Sequence, residues 1–252
     1  MDAVGRVSNV TGASSGQGVI RNISDSMARR SNYLSKEVIM NIWRQTALIT
    51  CLFGQAATAE TFSADVWADN WFAFYVNGEQ VAEDSVPITT ERSFNAERFS
   101  FEAERPFVLG LIAKDFKEND TGLEYIGTRR QQMGDGGVIL QVKDANGNTV
   151  AVSDDGWTCL VIHEAPLDKF CESERNPVAG KGACAFEITP EPEGWSNAGF
   201  DDTGWTSASL YTAAEVSPKG GYDHIEWDSS ARLIWGPDLE TSNTILCRLT
   251  VE

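Results

Sequence analysis

From Glu60 onward the apolar residues of this chain come in short runs of five to eight, closed by Gly, Asn, Asp or Pro, and none is sustained at helical spacing. WFAFYVN (71–77), RFSFE (98–102), PFVLGLIA (106–113), GVILQVK (137–143) and TVAVS (149–153) read as strands. So do WTCLVI (157–162), ACAFEI (183–188), ARLIW (231–235) and TILCRLTV (244–251). Runs of this length, rich in Val, Ile, Phe, Tyr and Trp, suit a pleated and half-buried surface. Between two of them DANGN (144–148) signals a hairpin, because Asn146-Gly147 tolerates positive φ. The best helix candidates are single turns. About nine strands with long connections imply an all-β fold: a two-sheet antiparallel sandwich of the jelly-roll kind, as one domain over residues 60–252.

Residues 1–59 read differently. MNIWRQ, from Met40, is a short n-region with Arg44; TALITCLFG is an apolar run too short to span a bilayer; ATA at 57–59 supplies small residues for cleavage. The expectation is a signal peptide over residues 40–59, a mature chain from Glu60, and an exported protein in the periplasm or outside the cell. Residues 1–39 would then be a spurious or disordered extension outside the fold. A lipoprotein anchored at Cys51 is the alternative, which Thr50 fits poorly. TGASSGQG (11–18) resembles the T-G-x-x-x-G-x-G turn of the short-chain dehydrogenases, which works only between a buried strand and a helix. MDAVGRVSNV is broken by Asp2, Arg6, Ser8 and Asn9, and no later tyrosine is followed four residues on by lysine. The dehydrogenase reading fails.

The chain has 37 acids and 20 bases, of which residues 1–59 carry three and six. The part from Glu60 therefore holds 34 against 14, a net charge of −20. Such a surface repels phosphate backbones and anionic lipid, which argues against nucleic acid or a membrane as partner. Four cysteines lie beyond residue 59, and an even number in an exported chain suggests two disulfides. Three pairings are open. Cys171 with Cys184 is favoured, since CESERNPVAGKGAC is a polar loop that a local bridge ties down, worth about 3 kcal/mol. Cys159 and Cys247, each in a strand-like run, then pair.

Several motifs fall in an informative order: ADNWFAFYVNGEQVAED (68–84), GDGGVILQV (134–142), DANGNTVAVSDDGW (144–157) and GWSNAGFDDTGW (194–205). This order resembles the galactose-binding-like β-sandwich domains that accompany bacterial glycoside hydrolases, notably the N-terminal domain of the α-L-rhamnosidases. The likeness covers roughly residues 65–210. It implies an accessory sandwich without the helical catalytic barrel, whose acid and base have no positions here to which they carry over. Carbohydrate is the ligand class it implies, and a structural calcium the metal, although no D-x-D-x-D-G spacing is present. FCESERNPVAGKGACAF (170–186) reads as an insertion. Asn77-Gly78 is read as a tight turn. Phe200, Trp205, Trp157 and Trp195 are read as core or edge plugs, and Asp201 or Asp202 as a cap on the amides of the turn between Phe200 and Trp205.

No catalytic constellation stands out. There is no G-x-S-x-G elbow and no H-E-x-x-H. His163 ends a strand beside Glu164, and His224 lies between Asp223 and Glu226, the one place where a small metal or acid/base site is conceivable. GDGG (134–137), lacking a following helix, reads as a hairpin turn rather than a phosphate nest. The expectation is a non-catalytic binding module with its ligand at ADNWF: Asp69 and Asn70 take sugar hydroxyls or Ca²⁺, and Trp71 stands at the rim. A structural or interaction protein of the cell envelope is the alternative, and an unrecognised hydrolase the second.

Overall fold

The computed structural model describes residues 58–252. TGASSGQG, Cys51 and all but the last two residues of the expected leader lie outside the described residues. The remainder is a sandwich of two antiparallel sheets. One sheet runs Ser209–Tyr211, Leu233–Trp235, Gly137–Asp144, Glu60–Asp69, Ala96–Ala103, with Thr149–Val152 also paired to Gly137–Asp144. The other runs Glu187–Ile188, Thr158–Glu164, Ser242–Val251, Phe107–Lys114, Trp71–Val76, Glu79–Glu83, with Thr206–Ser207 also paired to Thr158–Glu164.

Period-two alternation builds the core. In Glu60–Asp69, Phe62, Ala64, Val66 and Ala68 point between the sheets; in Trp71–Val76, Phe72, Phe74 and Val76 meet them. Leu109, Leu111, Leu140, Trp157 and Ile245 complete the layer, all essentially without exposure. The outer faces are covered too. Trp67 and Ile139 lie with Val216, Ala231 and Leu233 on the outside of the first sheet. Ala73, Ile112 and Leu246 lie under Trp195, Phe200 and Trp205 on the outside of the second. Arg248, buried, holds that cover by donating to the carbonyls of Trp195 and Asn197 and to Asp202 Oδ2 at 3.1 Å. Asp201 accepts the Thr203 amide at 3.1 Å, so capping falls to Asp201 and charge pairing to Asp202.

Both disulfides form as expected, Cys159–Cys247 and Cys171–Cys184. Asn77 (φ +49°) and Gly78 (φ +92°) are both left-handed, the geometry of a two-residue hairpin that joins Trp71–Val76 to Glu79–Glu83. At the other hairpin only Gly147 takes positive φ, while Asp144 accepts the amides of Asn146 and Asn148.

The structure departs from the strand assignments at ACAFEI and at Glu60–Asp69, and it adds short strands that no apolar run announced, among them Glu79–Glu83 and Ser209–Tyr211. ACAFEI is not one strand: Gly182–Cys184 is a 3-10 turn drawn toward Cys171 by the disulfide, and only Glu187–Ile188 pairs. Glu60–Asp69, central in the first sheet, goes unrecognised among the apolar runs because Ser63 and Asp65 interrupt it. Asp65 is buried but paired, to Arg98 Nε at 2.5 Å and Gln141 Nε2 at 2.8 Å, both on neighbouring strands. Burial of a charge is tolerable once it is paired and hydrogen-bonded.

GDGG (134–137) is not a hairpin turn. It connects Gln132–Met133 to Gly137–Asp144 with no glycine at positive φ, and its glycines serve close approach instead. A Cβ on Gly136 would lie 2.0 Å from the Trp235 indole, which is fully buried and donates to the Ser242 carbonyl at 2.6 Å. Gly136→Ala is therefore expected to cost about 3 kcal/mol, read as a lower denaturant midpoint. Gly199→Ala, where a Cβ meets nothing within 4 Å, should stay within about 0.5 kcal/mol.

Candidate functional site

At Asn70 the chain leaves the first sheet and enters the second. Asp69 is the last residue of one strand and Trp71 the first of the next. The alternation that sends Ala68 inward sends Asp69 outward with Trp67, on the outer side of the first sheet. Likewise Phe72 points inward and Trp71 outward, on the second sheet, where it packs near Ala73 and Trp195 with Lys114 Nζ 4.8 Å above its ring. The three expected ligand residues are thus divided between opposite faces of the sandwich.

Asn70 acts as the bracket of the corner. Its backbone N–H donates to the Lys114 carbonyl at 2.9 Å, and its Oδ1 accepts the Phe116 amide at 2.6 Å. Its Nδ2 reaches the Glu91 carbonyl at 3.5 Å. Asp69, in contrast, is 1 % exposed and its Oδ2 has no hydrogen-bond partner.

Asp69 and Asn70 form part of the floor of a cavity of about 250 Å³. Buried Glu124 lies on the floor as well, its Oε2 accepting from Gln132 Nε2 at 3.0 Å. Glu91 and Asp135 line the wall, and Glu91 Oε1 is buried without a partner. Behind the floor, Asp115 is 3 % exposed with both carboxyl oxygens unpartnered, and it packs so closely on Gly134 that a Cβ there would lie 1.7 Å from Oδ2. The rim is basic and exposed: Arg92 and Lys219 lie over the Phe94 ring at 5.9 and 4.9 Å, and Arg130 lies over Tyr125 at 4.1 Å. Trp67 pins two rim segments together, its Nε1 donating to the carbonyls of Phe94 and Lys219, both at 3.1 Å.

The electrostatics follow from burial. Burial pushes the Asp69 carboxyl up to about 8, with Asp135 and Glu124 adding to the shift and Lys219 opposing it. Glu124 rises to about 7, again chiefly through burial, against the hydrogen bond from Gln132. Asp135 is raised by burial and held back by Lys219, whose Nζ is 3.9 Å from its Oδ2. Asp115 is raised well above the carboxylate range by burial and then by Asp69, Glu124 and Asp135. At neutral pH Asp69 is therefore mainly a carboxylic acid and Glu124 about half protonated, and a carboxylic acid both donates and accepts hydrogen bonds, as sugar hydroxyls do. Sequence reasoning missed Glu91, Asp115, Glu124 and Asp135. The one local signal was an acid closing an apolar run, as in VWAD and LIAKD.

The calcium that the resemblance implies needs several oxygen ligands around one point. Among the described residues no three His, Cys, Asp or Glu side chains converge in that way, so the residues do not fit such an ion. His224, Asp223 and Glu226 are exposed and likewise form no such group. A larger cavity of about 650 Å³ lies beside Ile88, Thr89, Lys114, Asp115 and His163. There His163 is buried and stacked on Phe186, and burial lowers its pKa. Its Nε2 is 3.3 Å from Asp120 Oδ1, but neither ring nitrogen is aligned for a hydrogen bond. Unpartnered buried atoms occur in both cavities, on Asp115 and His163 in the larger and on Asp69 and Glu91 in the smaller; the smaller cup is the stronger candidate because it brings Asp69 and Asn70 together with Glu91, Glu124 and Asp135 under a basic rim.

Fold and cup define the class: a disulfide-braced, two-sheet antiparallel β-sandwich with an acid-floored cavity at the crossing between its sheets. No family model, curated protein or solved structure matches the chain.

Proposed function

We propose that this is an exported, non-catalytic carbohydrate-binding module whose ligand site is the Asp69 cup. The observation that carries the reading is Asp69, a buried residue with one unpartnered carboxyl oxygen, in the lining of a cavity of about 250 Å³. A buried polar atom left unpaired in a native fold calls for an explanation, and a ligand group that hydrogen-bonds to it is the one this reading adopts. Tyr125 and Phe94 supply apolar ring surface beside polar groups, the mixture that sugar recognition uses. The motif order shared with the galactose-binding-like domains supports the same ligand class. Two disulfides support export, and no helix among the described residues is long and apolar enough to cross a membrane.

Glycan-array binding followed by calorimetry tests the reading. Asp69→Asn should weaken sugar binding about tenfold, the cost of about one hydrogen bond, because the amide cannot offer the carboxyl's O–H donor and second oxygen acceptor. Trp71→Ala, on the opposite face, should leave it within about twofold. Chelation of divalent ions should change nothing. Loss of binding with Trp71→Ala and retention with Asp69→Asn would move the site to the other sheet. Turnover of a glycoside panel would overturn the non-catalytic part, since two carboxyls of raised pKa on one cavity floor also suit acid/base chemistry.

A second reading, an envelope interaction protein, is favoured by the exposed apolar side chains Leu167, Phe170, Val178 and Ile188 in and beside the segment closed by Cys171–Cys184. Phe170 is 76 % exposed, high for a residue of its size. Phe170→Ser would abolish partner capture under that reading and leave sugar binding intact under the first.

A further inference from the structure

Resting on the carbohydrate reading of the cup, we propose that its ligand carries a protonated amine, as an amino sugar does, and that the ammonium seats on Asp69 Oδ2 beside Glu124. The floor holds more acceptors than donors. Asp69 Oδ2 and Glu91 Oε1 are buried and unpartnered, and both oxygens of Asp115 behind them are unpartnered too. A hydroxyl supplies one donor, whereas an ammonium supplies three from a single atom, and its charge is balanced when the Asp69 proton leaves.

The protein's own cations do not fill this role. Among the described residues no lysine or arginine forms an ion pair with Asp69 or Glu124. Lys219 reaches toward Asp135, and Arg92 and Arg130 lie over aromatic rings at the exposed rim. A metal ion would need several ligands converging on one point, which the described residues do not provide. An ammonium needs only two or three acceptors at ordinary hydrogen-bond distance, and it is softer in its geometric demands.

Seating the amine displaces a proton. Asp69 faces Asp135, Glu124 and Asp115 as well as Lys219, with Glu91, Arg92 and Arg130 completing the ring, and in the empty cup it stays protonated up to about pH 8. An ammonium ligand pairs with the carboxylate, so the carboxyl proton leaves to solvent as the N–H donors replace it. For an amine that keeps its charge, affinity therefore rises with pH toward about 8, by at most tenfold per unit. A neutral sugar leaves the proton in place.

Calorimetry on the intact protein at about pH 6, in two buffers of different ionisation enthalpy, should compare short glucosamine oligomers with their N-acetylated counterparts. The amine oligomer should bind at least tenfold more tightly and release close to one proton. Asp69→Asn should erase the preference, and Glu124→Gln should reduce it, which guards against misfolding of either variant. Methylammonium, followed by NMR shifts of the cup residues, serves as the simple amine. Equal or tighter binding of the N-acetylated oligomer without proton release sinks the amine while the sugar reading stands. Methylammonium in the cup with every sugar failing sinks the sugar reading while the amine stands. No binding by any of them overturns both.

Discussion

Replacing Cys159 and Cys247 together by alanine is expected to cost about 4–5 kcal/mol of folding stability, against about 3 kcal/mol for the Cys171–Cys184 pair. The difference comes from the chain between the linked residues, a sequence separation of 88 in one case and 13 in the other. Cys159 and Cys247 already sit opposite each other on paired strands, so little native structure needs the bond to form. Its effect is to keep the unfolded chain from separating two strands that must find each other across a sequence separation of 88. Both sulfurs are buried, so the variant also loses core contacts. For a domain of this size the midpoint of thermal unfolding should fall by on the order of 10 °C. Guanidinium titration of the two double-alanine variants checks the ranking. Equal losses, or a larger one for Cys171–Cys184, would contradict it.

Asp69→Asn is expected to stabilise the fold at alkaline pH while weakening the proposed ligand binding. A buried carboxyl raised from 3.8 to about 8 keeps its proton in the folded state across that window, while the unfolded chain has lost it. The folded state then binds more protons, so stability falls as pH rises from about 4 to about 8 and levels off above. Glu124, at about 7, and Asp115 push in the same direction. Asparagine has nearly the same shape and no charge to desolvate. Above pH 8 the variant should gain roughly 2–5 kcal/mol over the wild type, and its stability should vary less with pH. Thermal melts between about pH 5 and 9 provide the measurement. Parallel profiles for the two proteins would show that Asp69 is not the group that strains the fold. A gain in stability together with weaker binding in this variant would mark Asp69 as kept for function rather than for folding.

Much of the sandwich was legible because strand patterning is local. Phe72, Phe74 and Val76 alternate with Trp71, Ala73 and Tyr75, and that alternation alone tells a pleated strand which residues share a face. The Asn77-Gly78 turn was legible in the same way, from the backbone freedom of two neighbouring residues. The pairing of the cysteines followed from two strand-like runs and one short polar loop. The Glu60–Asp69 strand was harder to see, because the partners that make Asp65 tolerable, Arg98 and Gln141, come from other strands. The expected site was legible only in part. Asp69 and Asn70 do line one cavity, but a single residue of crossing between sheets carries Trp71 to the other side of the molecule.

By itself, then, the sequence determined the all-β character and the inward residues of most strands, which depend on neighbours a few residues apart, and it favoured one of three disulfide schemes, which the pairing of Thr158–Glu164 with Ser242–Val251 then fixed. Only the tertiary structure decided which polar side chains go unpaired. The cup draws Asp69, Glu91, Glu124, Asp135 and Lys219 from five separate segments, and desolvation together with mutual repulsion, which exist only once those segments meet, gives its floor its chemistry.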